Sequence, residues 1–410
     1  MLRDFGRHRR AFCAAAQTGL RMMTPPSRLR AGIIGISGYG RIHLGLAREV
    51  AADLELAAAV VINPEEEAEN VRRLRASGCQ IYDSYEAMLA AEHGRLDLCF
   101  IPTGIAWHTR MTLAAVRAGM NVLVEKPLAA SVGEVHAIIG AAAAARRFVA
   151  VGFQDIYDPV AQAVKQRLLA GEIGRVQAVR LLGLWPRPPG YFTRNGWAGK
   201  LFADGAPVLD SPLSNAFAHF VNLGLFFAGR SFEAVASAHE IEAALWRTNA
   251  IESFDTGVLR AVTADGVRLW FGGSHACAVT REPEIVIEGD GGRVIWRHEQ
   301  ECVIERSGAP VERLPLFPTG ASRRAMINAV LHRCTNPAAF VCTAEMSLQH
   351  TALIERVHQT GRIHFVPGAS AELATAAGPV QVLAVPGIDS VLRAAFATGD
   401  LPGVPVRSAP

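Results

Sequence analysis

Residues 32–40 read Gly-Ile-Ile-Gly-Ile-Ser-Gly-Tyr-Gly, and a helix-like stretch, His43–Val50, follows directly. The apolar run Gly32–Ile36 passes into Gly35-Ile36-Ser37-Gly38-Tyr39-Gly40 and predicts a strand–turn–helix unit. Small residues at such a turn let backbone N–H groups and a helix N-terminus approach phosphate oxygens, which is what a dinucleotide requires. The pattern is G-x-G-x-x-G with Ser37 at its middle position and Gly38 just after. A tight turn with no ligand needs similar residues, so the surrounding pattern has to decide.

That pattern alternates through residue 151. Gly32–Ile36, Leu56–Ile62, Leu98–Ile101, Asn121–Val124 and Phe148–Val151 are candidate strands. His43–Val50, Pro64–Ala76, Tyr85–Ala91, Ala106–Ala118 and Gly133–Ala145 are helical between them. Strands apolar on both faces, each followed by a helix, predict a parallel doubly wound sheet. The second strand ends Val60-Val61-Ile62-Asn63-Pro64, where this fold usually holds an acid on the adenosine ribose. Asn63 can bond a ribose but carries no charge to repel a 2′-phosphate, and Asn63-Pro64 also suits a helix cap. NAD and NADP both stay open, with a weaker preference for NAD than usual.

After Val151 the rhythm changes. A helix at Ala161–Leu169 leads to a strand, Val176–Leu182, then a Pro-, Gly- and Trp-rich segment and a helix at Ser214–Phe227. Two hairpins follow, Gly257–Val262 with Val267–Phe271 and Glu284–Glu288 with Arg293–Trp296. Helices at Ser322–Cys334 and Ala344–Thr360 come next, and from Pro367 the chain is rich in Ala, Gly and Pro. The expected fold is α/β: a Rossmann doubly wound parallel sheet, then an α+β domain with a large, mostly antiparallel sheet. Its parts are a disordered tail at 1–30, the dinucleotide domain at 31–151, a substrate and oligomerisation domain at 152–366, and a C-terminal tail at 367–410.

Further motifs fall in order: Ile101-Pro102-Thr103, His108 and Asn121-Val122-Leu123-Val124-Glu125-Lys126-Pro127. With the glycine loop, they make the chain resemble the Gfo/Idh/MocA family of oxidoreductases (glucose–fructose oxidoreductase, inositol dehydrogenase) from about residue 31 to 390. The resemblance implies an NAD(P)-dependent enzyme that moves hydride between the nicotinamide and a CH–OH group of a sugar, polyol or related compound. It places Gly35 to Gly40, Asn63, Thr103, His108, Glu125, Lys126 and Gln154 at the cofactor, and Lys126 also beside the reacting hydroxyl. An ammonium there stabilises the alkoxide as hydride leaves. The family's Asp-x-Gly-x-His-x-x-Asp matches Asn215-Ala216-Phe217-Ala218-His219-Phe220-Val221-Asn222. His219 becomes the proton acceptor, with amides at Asn215 and Asn222 where relatives carry acids. An amide does not raise imidazole basicity as a carboxylate does, so Asp210, five residues before Asn215, is the candidate for the missing charge. Asp155 is a second departure, standing where many relatives carry a basic residue.

Residues 185–200 mix aromatics with donors. Trp185, Tyr191 and Trp197 can stack on a hydroxyl-rich ring while Arg187, Arg194, Asn195 and Lys200 bond its oxygens. A proline-stiffened loop whose aromatics pack between domains explains the same residues equally well. His275, Thr343, Glu345 and His350 are weaker candidates for the same cleft.

The chain has 410 residues, 50% hydrophobic and 19% charged, with a formal charge of +3. These values mark a globular protein and show no concentrated basic face for nucleic acid. Seven scattered cysteines with no Cys-x-x-Cys pair indicate neither a disulfide framework nor a metal site, and they suit a reducing cytoplasm. No apolar run approaches the roughly 20 residues of a membrane span. The Arg-rich start with Asp4 as its one acid reads as a loose tail, or as an over-long start before Met22 or Met23. An exposed sheet face favours a homo-oligomer, a dimer or tetramer. Two other functions compete: a retained-NAD redox relay of the same fold, such as a glycosidase or two-substrate oxidoreductase, and a non-catalytic nucleotide-sensing regulator.

Overall fold

Short Val-, Ile-, Leu- and Ala-rich runs that are buried on both faces need helices above and below them, and the chain supplies these in alternation. The computed structural model describes residues 28–376 and 378–403. Cys13, Met22, Met23 and nearly all of the expected N-terminal tail lie outside the described residues. Strands β1 (Leu29–Ile34), β2 (Leu54–Val60), β3 (Gln80–Tyr82), β4 (Leu98–Ile101), β5 (Asn121–Val124) and β6 (Val149–Val151) form a parallel sheet in the order β3-β2-β1-β4-β5-β6. The order reverses between β1 and β4, and the crevice outside the carboxyl ends of these strands is where such sheets take ligands. The glycine loop follows β1, Thr103 follows β4, Glu125 and Lys126 follow β5, and Gln154 follows β6. β3, only three residues long, was not expected. The helix expected from Pro64 begins at Ala68, because residues 64–67 form a turn across which Asn63 Nδ2 donates to Glu66 Oε2 at 2.5 Å.

The second domain contributes β7 (Val176–Leu184), the small hairpin β8–β9 (Phe202–Ala203, Ala206–Pro207), and β10 (Ala238–Arg247). It continues with β11 (Thr256–Thr263), β12 (Arg268–Ser274), β13 (Arg281–Gly289), β14 (Gly292–Arg297), β15 (Glu301–Arg306), β16 (Glu312–Pro315) and β17 (Ile363–Phe365). Nine of these form one sheet, β16-β15-β14-β13-β7-β12-β11-β10-β17. It is antiparallel except for β7 with β12 and β10 with β17. Its inner face, with Val179, Leu181 and Phe271, joins the same core as the first sheet. The domains are also tied through the backbone, Val151 N donating to Cys342 O at 2.8 Å.

The helix expected over Ser214–Phe227 is two elements, a π-helical turn (Pro212–Ala216) and an α-helix (Ala218–Ala228). Phe217 sits at the break, and its ring occupies a notch floored by two glycines. A Cβ on Gly183 or Gly273 would stand 2.5 or 2.6 Å from that ring, and the two residues are register partners on β7 and β12. The seated ring fixes the turn on one side and the helix on the other.

The described residues of the segment expected to be a C-terminal tail carry regular structure. They form a hairpin, β18 (Ala369–Leu373) with β19 (Val380–Ala384), and a helix, Ile388–Thr398. That helix covers the outer face of the nine-stranded sheet, where Leu182, Leu184, Trp246 and Trp270 pack with Ile388, Leu392 and Ala395. Arg180 and Trp270 bond the carbonyls of Ala397 and Asp400 at 2.7 and 2.8 Å. β7 is apolar at successive positions because both its faces are covered. Leu392 is fully buried, so Leu392→Ala is expected to cost about 2–5 kcal/mol. A denaturant midpoint unchanged from wild type would show that the helix is only loosely laid on the sheet.

Candidate functional site

The turn after β1 is built for close approach to its ligand. Gly35 and Gly38 have φ of +90° and +55°, and a Cβ at Gly40 would stand 2.4 Å from the Gly35 carbonyl oxygen. The glycines leave the backbone of this loop and the N-terminus of helix Gly40–Glu49 open to a cleft of about 700 Å3. The cleft is lined by Gly35, Ile36, Ser37, Gly38, Tyr39, Asn63 and Thr103, all expected cofactor residues, and also by Asp83, Tyr85, Glu86 and Trp107. A cradle that a Cβ would fill, opening on a long cleft, fits a dinucleotide. Ser37 Oγ donates to Asn63 Oδ1 at 3.1 Å, and Glu66 holds the Asn63 amide from the other side.

His108 and Glu125 are turned inward. The two ring nitrogens of His108 lie 2.7 Å from Pro127 O and 3.0 Å from Thr103 O, which ties the two loops together, and burial lowers its pKa. Glu125 Oε1 meets His43 Nε2 at 2.8 Å, both residues buried, so this carboxylate anchors the helix behind the glycine loop. Tyr39 donates its hydroxyl to Gln154 Oε1 at 3.2 Å, and Arg323 reaches the same oxygen at 3.1 Å. Arg323 comes from helix Thr319–Thr335, and nothing in its local sequence marks it as a cleft residue.

Lys126 lies where the domains meet. Its Nζ donates to both the backbone O and the Oδ1 of Asn215, each at 2.8 Å. The π-turn makes the first of these available: Phe217 N returns to Pro212 O at 2.7 Å, leaving the Asn215 carbonyl to aim at Lys126. Asn215 Nδ2 donates in turn to Asp210 Oδ1 at 2.9 Å, and Asp210 Oδ2 accepts from Gly199 N at 2.6 Å. Asp210 therefore answers Lys126 through Asn215, and does not serve His219 as the sequence reading expected. Burial pulls Lys126 down to about 8, against the pull of Glu125 and Asp210. An ammonium near its titration point is suited to proton work at neutral pH.

His219 stands on the first turn of helix Ala218–Ala228, and the carboxylate beside it is Asp155, with Oδ2 3.5 Å from Nδ1. Burial holds His219 well below the ordinary imidazole range, with the cations Lys126 and Arg323 acting in the same direction. Burial pushes Asp155 up to about 7, and neighbouring Asp158 adds to this. The second helix amide, Asn222, is fully buried among apolar side chains.

The expected substrate residues divide. Asn195 and Trp197 line the main cleft, the Asn195 side chain accepting from Trp197 N and Ala198 N. Arg194 lies 3.6 Å from the centre of the Tyr191 ring and 5.3 Å from that of Trp197. Trp185, Tyr191 and His275 instead pack about Phe217 and one another, with ring centres 4.8 Å (Trp185–Phe217), 5.7 Å (His275–Phe217) and 5.5 Å (Tyr191–His275) apart. His275 Nδ1 is fixed 2.8 Å from Trp185 O, and burial takes its pKa to about 3. His350 is buried against Phe153 and Leu213 O, Thr343 caps helix Ala344–Thr360, and Glu345 is exposed.

Comparison with known proteins bears on the first domain and on the fold. Residues 29–153 match the model of an oxidoreductase family with an NAD-binding Rossmann fold, GFO_IDH_MocA. Inositol 2-dehydrogenase of Pseudomonas syringae pv. syringae (strain B728a) is 32% identical over 147 residues, which are 36% of this chain and 43% of that protein. UDP-N-acetylglucosamine 3-dehydrogenase of Acidithiobacillus ferrooxidans is 31% identical over 159 residues, 39% of this chain and 47% of that protein. The match thus spans less than half of either relative. The WlbA dehydrogenase of Bordetella pertussis, solved with NADH and UDP-GlcNAcA, superposes with a TM-score of 0.68 at 22% identity, covering 82% of this chain and 97% of that one. This likeness shows that the two-domain fold is shared.

Gly38 and Gly40 differ in what a substitution would do. A Cβ at Gly38 meets nothing within 4 Å but requires a positive φ, whereas at Gly40 it collides with backbone. Gly38→Val is expected to leave the protein folded and weaken NAD(P) binding about tenfold or more, since positive φ alone costs roughly 1–2 kcal/mol. Gly40→Val is expected to lower the melting temperature as well. Calorimetric affinity equal to wild type in folded Gly38→Val would remove the cofactor from this loop.

Proposed function

We propose that this chain, whose residues 29–153 match the GFO_IDH_MocA oxidoreductase family, transfers hydride between NAD and a hydroxyl-bearing carbon of a sugar or polyol. One observation carries the reading. Lys126, at the carboxyl end of the fifth parallel strand, is held at 2.8 Å by both Asn215 oxygens from the other domain, with His219 close enough to feel its charge.

When bound, the nicotinamide supplies the hydride acceptor. Lys126 directs its ammonium at the reacting oxygen and stabilises negative charge there as the hydroxyl proton departs. His219, held uncharged by burial, takes that proton on Nε2, the ring nitrogen turned away from Asp155. Asn215 and Asp210 keep Lys126 in place and balance its charge. Asn195 and Trp197 border the path from the cofactor cleft to the substrate.

NAD is the preferred cofactor in this reading. The residues lining the cleft include Asp83, Glu86 and Asp204 and neither Lys nor Arg, and Glu66 sits on the amide of Asn63. A 2′-phosphate beside Asn63 would meet the Glu66 carboxylate. The six described cysteines are free thiols, which suits the cytoplasm. The part of the nine-stranded sheet that the C-terminal helix leaves open is the surface for self-association as a dimer or tetramer.

Two measurements test this. Glu66→Gln is expected to lower the ratio of NAD to NADP affinity about tenfold, since a unit charge a few ångströms away is worth about 1–4 kcal/mol near a surface. An unchanged ratio would show that Glu66 does not face the ribose. Purified protein with NAD and a panel of sugars and polyols is expected to form reduced cofactor. The rate should plateau between an acid limb below the ordinary imidazole range, where His219 becomes protonated, and an alkaline limb near 8, where Lys126 loses the charge that stabilises the alkoxide. Lys126→Ala and His219→Ala should each lower kcat and kcat/KM about 10²–10⁴-fold with cofactor affinity retained. Full turnover in His219→Ala would send the proton to another base.

A further inference from the structure

Helix Ala218–Ala228 has no Asp or Glu, and neither neighbouring amide charges His219: Asn215, on the preceding turn, is occupied by Lys126 and Asp210, and Asn222, on the helix, is buried among apolar side chains. Some other group must hold the ring. We propose that Asp155, from the short turn Gln154–Tyr157 after β6, is the positioning residue for His219, orienting the imidazole and stabilising it once it carries the substrate's proton.

The geometry of the pair supports the assignment, which rests on the hydride-transfer reading above. Asp155 Oδ2 and His219 Nδ1 are both buried with no hydrogen-bond partner, and they face each other at 3.5 Å. A half-ångström approach makes them partners, and nothing else within hydrogen-bond reach satisfies either. The other carboxylate oxygen of Asp155 faces His298 Nδ1 at 3.9 Å, so the group lies between two imidazoles. Aromatic rings wall the pair: Phe153 lies 6.1 Å from His219, and Phe220 lies 4.7 Å from His298. The surrounding charges are also mixed. Lys126, Arg323, His298 and His350 bear on His219, while Arg323, Asp158 and Glu299 bear on Asp155. Burial raises the carboxyl and lowers the imidazole, so both groups are held toward their uncharged forms until the substrate's proton arrives.

The proton balance is simple. The O–H bond of the alcohol breaks and an N–H bond forms at His219 Nε2, while the carbon passes its hydride, with both electrons, to the oxidised nicotinamide. The ring then carries protons on both nitrogens, and Nδ1–H points at Asp155, whose carboxylate answers the new charge. A relative with a basic residue at this position would repel that imidazolium.

The test reads His219 directly. Protein with 15N-labelled histidine is titrated by NMR as wild type and as Asp155→Asn, with the His219 signal identified by its loss in His219→Gln. The buried carboxyl already tolerates its uncharged form, so Asp155→Asn is expected to fold; Asp155→Ser serves if it does not. In either variant the His219 midpoint should fall by about one pH unit or more, the effect of losing an opposite charge at this range. The acid limb of kcat should move with it, and kcat for oxidation at neutral pH should drop about tenfold or more with KM for NAD unchanged. A midpoint within a few tenths of wild type would overturn the proposal and leave Asp155 as packing. Absence of any turnover by wild type would instead count against the hydride-transfer reading, and the titration would still decide whether Asp155 acts on His219.

Discussion

An ammonium that leaves bulk water must be met by oxygens, and Lys126 meets both of its oxygens on one residue of the other domain. Burial lowers its pKa, while the carboxylates of Glu125 and Asp210 support its charge and Asn215 links it to Asp210. That requirement fixes the placing of the second domain. The π-turn must offer the Asn215 carbonyl, Phe217 must be seated for the turn to hold, and two paired glycines must stand on neighbouring strands for Phe217 to be seated. The nine-stranded sheet is the platform that carries this chain of contacts from its glycine notch to the end of β5.

The amide at Asn215 follows from the same electrostatics. Its Nδ2 lies 2.9 Å from Asp210, and an acid at that position would set two carboxylates against each other, raising the pKa of one of them. An amide donates to Asp210 and accepts from Lys126 at once, transmitting the interaction without adding charge. In this chain the carboxylate linked to Lys126 through Asn215 is Asp210, and the one beside His219 is Asp155, from the turn after β6.

What could be read from the sequence was what sequence spacing carries. The glycine loop, Thr103, Lys126 and the helix of His219 each lie at the end of an element with a strong apolar period, so position in the chain implied position in the crevice. Pairings between distant segments left no such mark. His43 meets Glu125 across 82 residues, and Arg323 reaches Gln154 across 169. Asp155 read as a misplaced acid because its partners come from other elements. The C-terminal hairpin and helix were obscured by a composition rich in Ala, Gly and Pro. Their signal lay elsewhere, in the outward-facing Leu182, Leu184, Trp246 and Trp270, which need a cover. The aromatic loop at 185–200 satisfied two readings, and its residues divide between them because Phe217 draws Trp185, Tyr191 and His275 away from the cleft.

The small hairpin of Phe202 to Pro207 gives the cleft two unequal sides. On one, the domains are joined by buried backbone bonds between β6 and the start of the last long helix. On the other, Ile105 and Ala106 pack with Val208 in a small buried apolar cluster, and at its rim Trp107 Nε1 donates to Asp204 Oδ2 at 3.1 Å, exposed, with Arg110 on the same turn. A solvent-facing hydrogen bond of this kind contributes only about 0.5–1.5 kcal/mol. The molecule is thus a purse with two unlike edges: one is stitched by backbone bonds, and the other is closed by a small apolar cluster whose rim carries exposed hydrogen bonds to the Asp204 turn.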